Sequence, residues 1–170
     1  MKTIDELVSL VDKWAEEKGI HEKGNKKTQT YEEVGELIQA HLTNNTELKK
    51  DSVGDILVTL INAAWFEKDK IRDGNFSALF KFADSEEEIK DVVESNDSKP
   101  ENNLSILNTI LSDMLFEKVS FNFALTAFLI NLNIYCYIEK IKPLECLEIA
   151  YDVISKRKGN MVNGTFVKDK

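Results

Sequence analysis

The sequence predicts an all-α fold, a helical bundle of about five to six helices. Apolar residues recur at spacings of three and four over several long stretches, the pattern of a helix with one buried face. Charged residues make up 31% of the chain, and seven Gly and two Pro in 170 residues leave little turn chemistry for a many-stranded sandwich or barrel. The length suits a single domain over residues 1–170 that buries a core of its own. With 22 Lys plus Arg against 30 Asp plus Glu, the formal charge is −8. That balance argues against a nucleic-acid partner, because phosphate backbones are bound by basic residues.

Taken in order, Thr3 followed by Glu6 is a capping-box pattern, and Ile4, Leu7, Val8, Val11, Trp14 and Ala15 share one face of a helix over about 4–18. Gly19 stops it, and 19–27, with Lys23, Lys26 and Lys27, reads as a basic loop. A second helix over about 29–42 turns Val34, Leu37, Ile38 and His41 inward, and TNNTE at 43–47 breaks it. A third, over about 48–68, turns in Val53, Ile56, Leu57, Leu60, Ile61 and Ala64. After Asp73-Gly74-Asn75 the pattern weakens. The acidic, Asn- and Ser-rich stretch 85–103 reads as a solvated surface excursion with at most a short helix. Helices follow over about 103–118, 121–140 and 143–158, the last with Pro143 in its first turn. The tail 159–170 is too short to fold alone and must pack on something.

Asp5 and Glu6 fall where a signal peptide would need its apolar run, so a cytoplasmic protein is expected. Cys136 and Cys146 suggest neither a disulfide framework nor a metal knuckle and read as reduced, buried thiols. Residues 119–138 carry no charge, but Ser120, Asn122, Thr126, Asn131 and Asn133 would be penalised in lipid. A buried bundle helix, and no membrane partner, is expected.

Two helices carry chemistry. With about 100° per residue, Glu33 and Glu36 share one side of the second helix and border its apolar stripe. On the third, with Asp55 at zero, Asp51 lies at about −40°, Asn62 at about −20°, Thr59 at about 40° and Ser52 at about 60°. A polar strip beside a core face needs partners, and two acidic strips on consecutive helices can face each other. Carboxylates gathered there repel without a cation between them, and Mg²⁺, with oxygen ligands and open positions for water and phosphate, meets that need. Mn²⁺ can take its place. Neither His21 nor His41 has a spacing that suggests zinc, and no GxxxxGK[ST] phosphate loop is present.

The segment EEVGE (32–36) followed by DSVGD (51–55) resembles the EExxE and ExxD motifs of the MazG-like all-α nucleoside triphosphate pyrophosphohydrolases. The end AYDVISKRKGNMVNGTFVKD (150–169) is similar to the tail of that family's phage-type branch. The resemblance covers about 1–68 and 140–170 and leaves about 70–120 as an insertion. It implies a Mg²⁺-dependent hydrolase that converts a nucleoside triphosphate and water to a monophosphate and pyrophosphate. Glu33, Glu36 and Asp55 would be the catalytic metal ligands, with Asn62 near the substrate. Where the family's second motif begins with Glu this chain has Ser52, and Asp51 is the candidate to supply the missing carboxylate. Glu32, which precedes the pair, reads as solvent-facing or as a support behind the ligands. Lys156, Arg157 and Lys158 are candidates to clamp phosphate charge, Arg157 as a fork, and equally read as charge complementing a helix C-terminus. Trp14 and Gln29 are candidates for the base pocket, although Trp14 also lies on an apolar face. A homo-oligomer, dimer or tetramer, is expected from the resemblance and from the apolar girth of 119–138. A related enzyme acting on dUTP or phosphoribosyl-ATP, or a catalytically idle helical dimerisation module, are the competing expectations.

Overall fold

In the computed structural model of the chain, which describes residues 1–23, 27–71, 75–96, 98–162 and 165–168, the first helix begins where its capping box places it. The side chains of residues 22, 23, 27, 28, 70 and 160–168 lie outside that description. Thr3 Oγ1 accepts from the Glu6 amide at 3.3 Å and the Glu6 carboxylate accepts from the Thr3 amide at 2.7 Å, which opens α1 (Ile4–Glu17). Ile4, Leu7, Val11, Trp14 and Ala15 form its buried face. Gly19, at φ 67°, supplies the left-handed residue that ends it. The expected loop 19–27 instead contains one helical turn, α2 (Ile20–Lys23), because Ile20 and His21 are both buried. Lys26, and the side chains of Lys23 and Lys27, fall outside the described residues.

Helices α3 (Lys27–Leu42) and α4 (Thr46–Phe66) form an antiparallel hairpin. Asn44 turns the chain at φ 50°, and Asn45 Oδ1 caps α4 by accepting from the Leu48 amide at 3.1 Å. This cap starts α4 two residues before the expected Leu48. From Ile56 to Ala64 every residue of α4 is buried. Helix α3 covers one side, α9 (Pro143–Ile154) another, and α1 packs on it as well.

The chain between these elements departs most from expectation. Beyond a 3₁₀ turn at Lys68–Lys70 come α5 (Phe76–Ala83) and α6 (Glu86–Asn96); residues 72–74, and with them the Asp73-Gly74 turn, lie outside the described residues. The stretch 85–103, expected as a solvated surface excursion with at most a short helix, holds the eleven-residue, largely exposed α6 and the first turn of the helix after it. Glu86, Glu87 and Glu88 in the first turn of α6 complement the positive helix end, and Ile89 buries on the core side. Helix α7 (Pro100–Leu115), with Pro100 at its first turn, pairs with α8 (Phe121–Glu139), which Ser120 caps and Lys140 ends in the left-handed region. Phe76, Phe80, Leu104, Leu107 and Leu111 all join the same core cluster as α1, α3 and α4. Residues 76–115 are therefore part of the body of the fold.

Nine α-helices are seen among the described residues, where five to six were expected, and the all-α class holds. The tail folds back as a hairpin of β1 (Gly159–Val162) and β2 (Thr165–Lys168), with Met161 opposite Phe166. Helix α8 is long and apolar enough to cross a membrane, and 56% of its apolar window is buried against its neighbours, α5, α6 and α7 among them. Just over half of that window is thus covered within the chain, and Phe123 stays exposed. Both cysteines are free and buried, and burial pushes the Cys146 thiol up to about 11.

Gly54 marks the closest approach of α4 to α9. A Cβ there would lie 2.5 Å from the Cys146 carbonyl oxygen and 2.9 Å from Ala150 Cβ. Gly35, also helical, has open space around the equivalent point. Gly54→Ala should lower stability by about 1–3 kcal/mol, because a backbone carbonyl must move. Gly35→Ala should raise it by roughly 0.5–1 kcal/mol, the ordinary helix gain. Urea melts of both variants, followed by circular dichroism, check the pair; stabilisation by both would show that α4 and α9 do not pack closely at Gly54.

Candidate functional site

The α3–α4 hairpin sets the register of the site. Glu33 lies eleven residues before Asn44, and Asp55 lies eleven after it, so the reversal brings the two to one level. Between Ser52 and Ala64, Asp55 is the one residue that is not buried. An acid at the rim of an apolar helix interface is thereby set beside a second acid from the facing helix.

The electrostatics follow that geometry. The Glu33 carboxyl is pushed up to about 7, first by burial, then by Asp55, Glu36, Glu32 and Asp51. Every one of these influences opposes its charge. All four acids singled out in the sequence, on two helices, therefore act within one field. Glu36 and Asp51 are exposed, as is Glu32. Among the described residues no three His, Cys, Asp or Glu side chains already converge as a ligand set for a metal ion.

The rest of the polar strip on α4 divides. Thr59 Oγ1 donates to the Ile56 carbonyl at 2.9 Å and is satisfied within its own helix. Asn62, 3% exposed, donates through Nδ2 to the Val58 carbonyl at 3.0 Å and leaves Oδ1 without a partner. Ser52 is buried with its hydroxyl oxygen unpartnered. Asp51, one residue earlier, lines an outer groove with Lys50, Cys146 and Ile149.

Gln29 sits half-buried one turn before Glu33 on α3, on the same side of the helix. Trp14 is a member of the main core cluster. Lys156, Arg157 and Lys158 follow the end of α9, and no ion pair given for the described residues ties them to the acidic cluster. One aromatic group escaped sequence reasoning. His21 stacks on Trp65 with ring centroids 3.8 Å apart and planes 7° apart, and Phe66 meets both edge-on. Lys68 Nζ lies 5.0 Å from the Trp65 ring, and Asp12 Oδ1 lies 4.0 Å from His21 Nε2. Burial pushes the Asp12 carboxyl up to about 6. On the wheel with Asp55 at zero, Phe66 falls at about 20°, inside the strip, and Trp65 at about −80°, beyond its edge, so a wheel continued past Asn62 would have found Phe66 but not the stack.

No protein-family model, curated protein or solved structure matches the chain.

Because Glu33 binds its proton more tightly folded than unfolded, its linkage favours the folded state at lower pH. Stability of the metal-free protein should rise as pH falls from about 7 towards 4.5, and Asp12 acts in the same sense towards 3.8. Glu33→Gln should raise the melting temperature at pH 8 by about 3 °C or more and flatten this slope. Scanning calorimetry from pH 5 to 8 measures both; an unchanged slope in the variant means that Glu33 is not held against its charge.

Proposed function

We propose that the chain is a divalent-metal-dependent nucleoside triphosphate pyrophosphohydrolase, and that Glu33, Glu36, Asp51 and Asp55 hold the ion. The observation that carries the proposal is the meeting of acids from α3 and α4 at Glu33, whose carboxyl burial first, and then Asp55, Glu36, Glu32 and Asp51, push up to about 7. The donor set fits Mg²⁺ or Mn²⁺ in kind, being oxygen throughout, and a divalent cation would remove the repulsion. Side-chain rotation is left to bring the carboxylates onto one ion, since no three of them converge as they stand. The ion, when bound, neutralises phosphate charge in the transition state.

The chain's own groups supply the remainder. A carboxylate of this cluster that is not spent on the ion would accept the proton from water attacking the α-phosphorus, as the bond from that phosphorus to the oxygen bridging to the β-phosphate breaks and pyrophosphate leaves. Asn62 lies two turns along α4 from Asp55, and its unpartnered amide oxygen is sealed by its neighbours, so a substrate N–H or O–H would meet it only as the side chains around it move. Beyond it the His21–Trp65 stack, with Gln29 on the facing helix, offers an aromatic face for a base, alongside Trp14. The basic run 156–158, which follows the end of α9, is the candidate to meet the phosphates.

A second reading, the idle helical module, is favoured by Ser52, buried where the resemblance calls for a ligating Glu. Millimolar Mg²⁺ or Mn²⁺ should raise the melting temperature of an intact site and leave an idle bundle unchanged.

The direct assay is pyrophosphate release over a panel of ribo- and deoxyribonucleoside triphosphates with Mg²⁺. Asp55→Asn is expected to lower turnover by at least about 100-fold with helical content unchanged; near-normal turnover would remove the metal-site proposal. If Asp51 stands in for the missing Glu, Asp51→Ala weakens the Mg²⁺ dependence as much as Glu33→Gln does. A silent Asp51→Ala leaves Glu33, Glu36 and Asp55 as the ligands.

A further inference from the structure

His41, near the end of α3, has a different partner at each ring nitrogen. Its side chain is 14% exposed, and Nδ1 lies 3.6 Å from Glu139 Oε1 and 3.5 Å from the Tyr135 hydroxyl, both on α8. Glu139 is itself anchored, because its Oε2 meets the ammonium of buried Lys49. The opposite edge of the ring, Nε2, lies 3.5 Å from Glu101 Oε1 in the first turn of α7. A cavity of about 330 Å³ opens there between α3 and α7, with His41 and Glu101 both in its lining. Ser105 and Asn108, four and seven residues after Glu101 on the same face of α7, line it as well.

This is the arrangement of an imidazole prepared to ligate a metal ion. A ligating histidine gives its far N–H to a carboxylate or another oxygen, which fixes the ring and raises its basicity. Glu139 and Tyr135 stand at that position. The near edge has the right spacing: bonds of about 2.0–2.2 Å to His41 Nε2 and Glu101 Oε1, across 3.5 Å, subtend roughly 110–120°, close to the tetrahedral angle. Glu101 is also ready as a ligand, since its own backbone amide, and then the His41 ring, hold its carboxyl below the usual range. Magnesium and calcium prefer oxygen throughout, whereas an imidazole ligand selects zinc, nickel or copper. No third acidic, histidine or cysteine side chain joins these two as a ready ligand set among the described residues. The other positions therefore fall to water in the cavity, as in an open site. His41 and Glu101 are sixty positions apart, so no ligand spacing in the sequence announces them.

We propose that His41 Nε2 and Glu101 Oε1 bind a divalent transition-metal ion, zinc in the first place, at the mouth of the α3–α7 cavity, with water completing its shell. The ion ties the end of α3 to the start of α7. It uses none of the α3–α4 acids and does not depend on what they do.

The chain has two histidines, so long-range proton–nitrogen spectra of the full chain show two imidazole rings, and His41→Gln assigns them. Zn²⁺ added at about pH 7, without other divalent ions, is expected to shift His41 Nε2 saturably and to leave His21 unmoved. Glu101→Gln, an exposed change that does not touch the core, should weaken this response at least tenfold. Glu33→Gln should leave it unchanged, and Mg²⁺ at the same concentration should not reproduce it. The proposal fails if His41 Nε2 does not respond, if Glu101→Gln responds as the parent chain does, or if Mg²⁺ gives the same shift. It fails equally if Glu33→Gln abolishes the response, which would place the ion on the α3–α4 acids.

Discussion

The fold depends on one helix being surrounded. Helix α4 has no solvent face between Ile56 and Ala64, so α3, α9 and α1 must be in place for it to exist in this form. Ile56, Leu57, Leu60 and Ile61 are each at most 1% exposed, and each such side chain contributes about 1.5–3 kcal/mol by leaving water. A helix tolerates this enclosure because its backbone groups bond to one another. Its polar side chains have fewer options. Thr59 and Asn62 turn back onto carbonyls of their own helix.

Charge at the edges of that enclosed helix is arranged in two opposite ways. About 120° round from Asp55, Lys49 is buried at 3% exposure, and its Nζ meets Glu139 Oε2 of α8 at 2.5 Å. His41 stands beside the same carboxylate, its Nδ1 3.6 Å from Glu139 Oε1, with Tyr135 against its ring. There the buried charge is answered, and the pair joins α4 to the α7–α8 hairpin. On the Asp55 side, acid faces acid. A low-dielectric surrounding strengthens both arrangements, binding the first and straining the second. Strain of that kind at the rim of a core is where a cation or a proton has most effect.

The legible parts of the chain were those in which periodicity and punctuation agreed. The capping box at Thr3, the break at 43–47 and Pro143 each bounded a helix within a few residues, because backbone satisfaction at helix ends is local chemistry. The facing of Glu33 and Asp55 was also legible, since it needs only two helical periods and a short turn. Helix α6 was missed because its acidic, polar composition resembles a solvated segment, and a single buried Ile89 does not make a period. Helix α2 is too short to show one. The His21–Trp65 stack joins residues forty-four positions apart, and no local rule reports such a meeting. Trp14 illustrates the converse: an aromatic on an apolar face could be core or pocket, and here it joins the main core cluster.

The contact at Gly54 also bears on how the protein is made. The α9 residues that meet it, Cys146 and Ala150, lie more than ninety positions later in the chain. At bacterial-to-eukaryotic elongation rates of about 5–20 residues per second, that gap lasts on the order of 5–20 seconds. During that interval the ribosome has exposed α4 with its α3 partner available and its α9 partner not yet synthesised. A nascent chain in this state carries an open apolar trough along its longest helix, a surface that holdase chaperones bind and that neighbouring nascent chains on a polysome can share. The packing that buries α4 so fully in the finished molecule is completed only when α9 has been made.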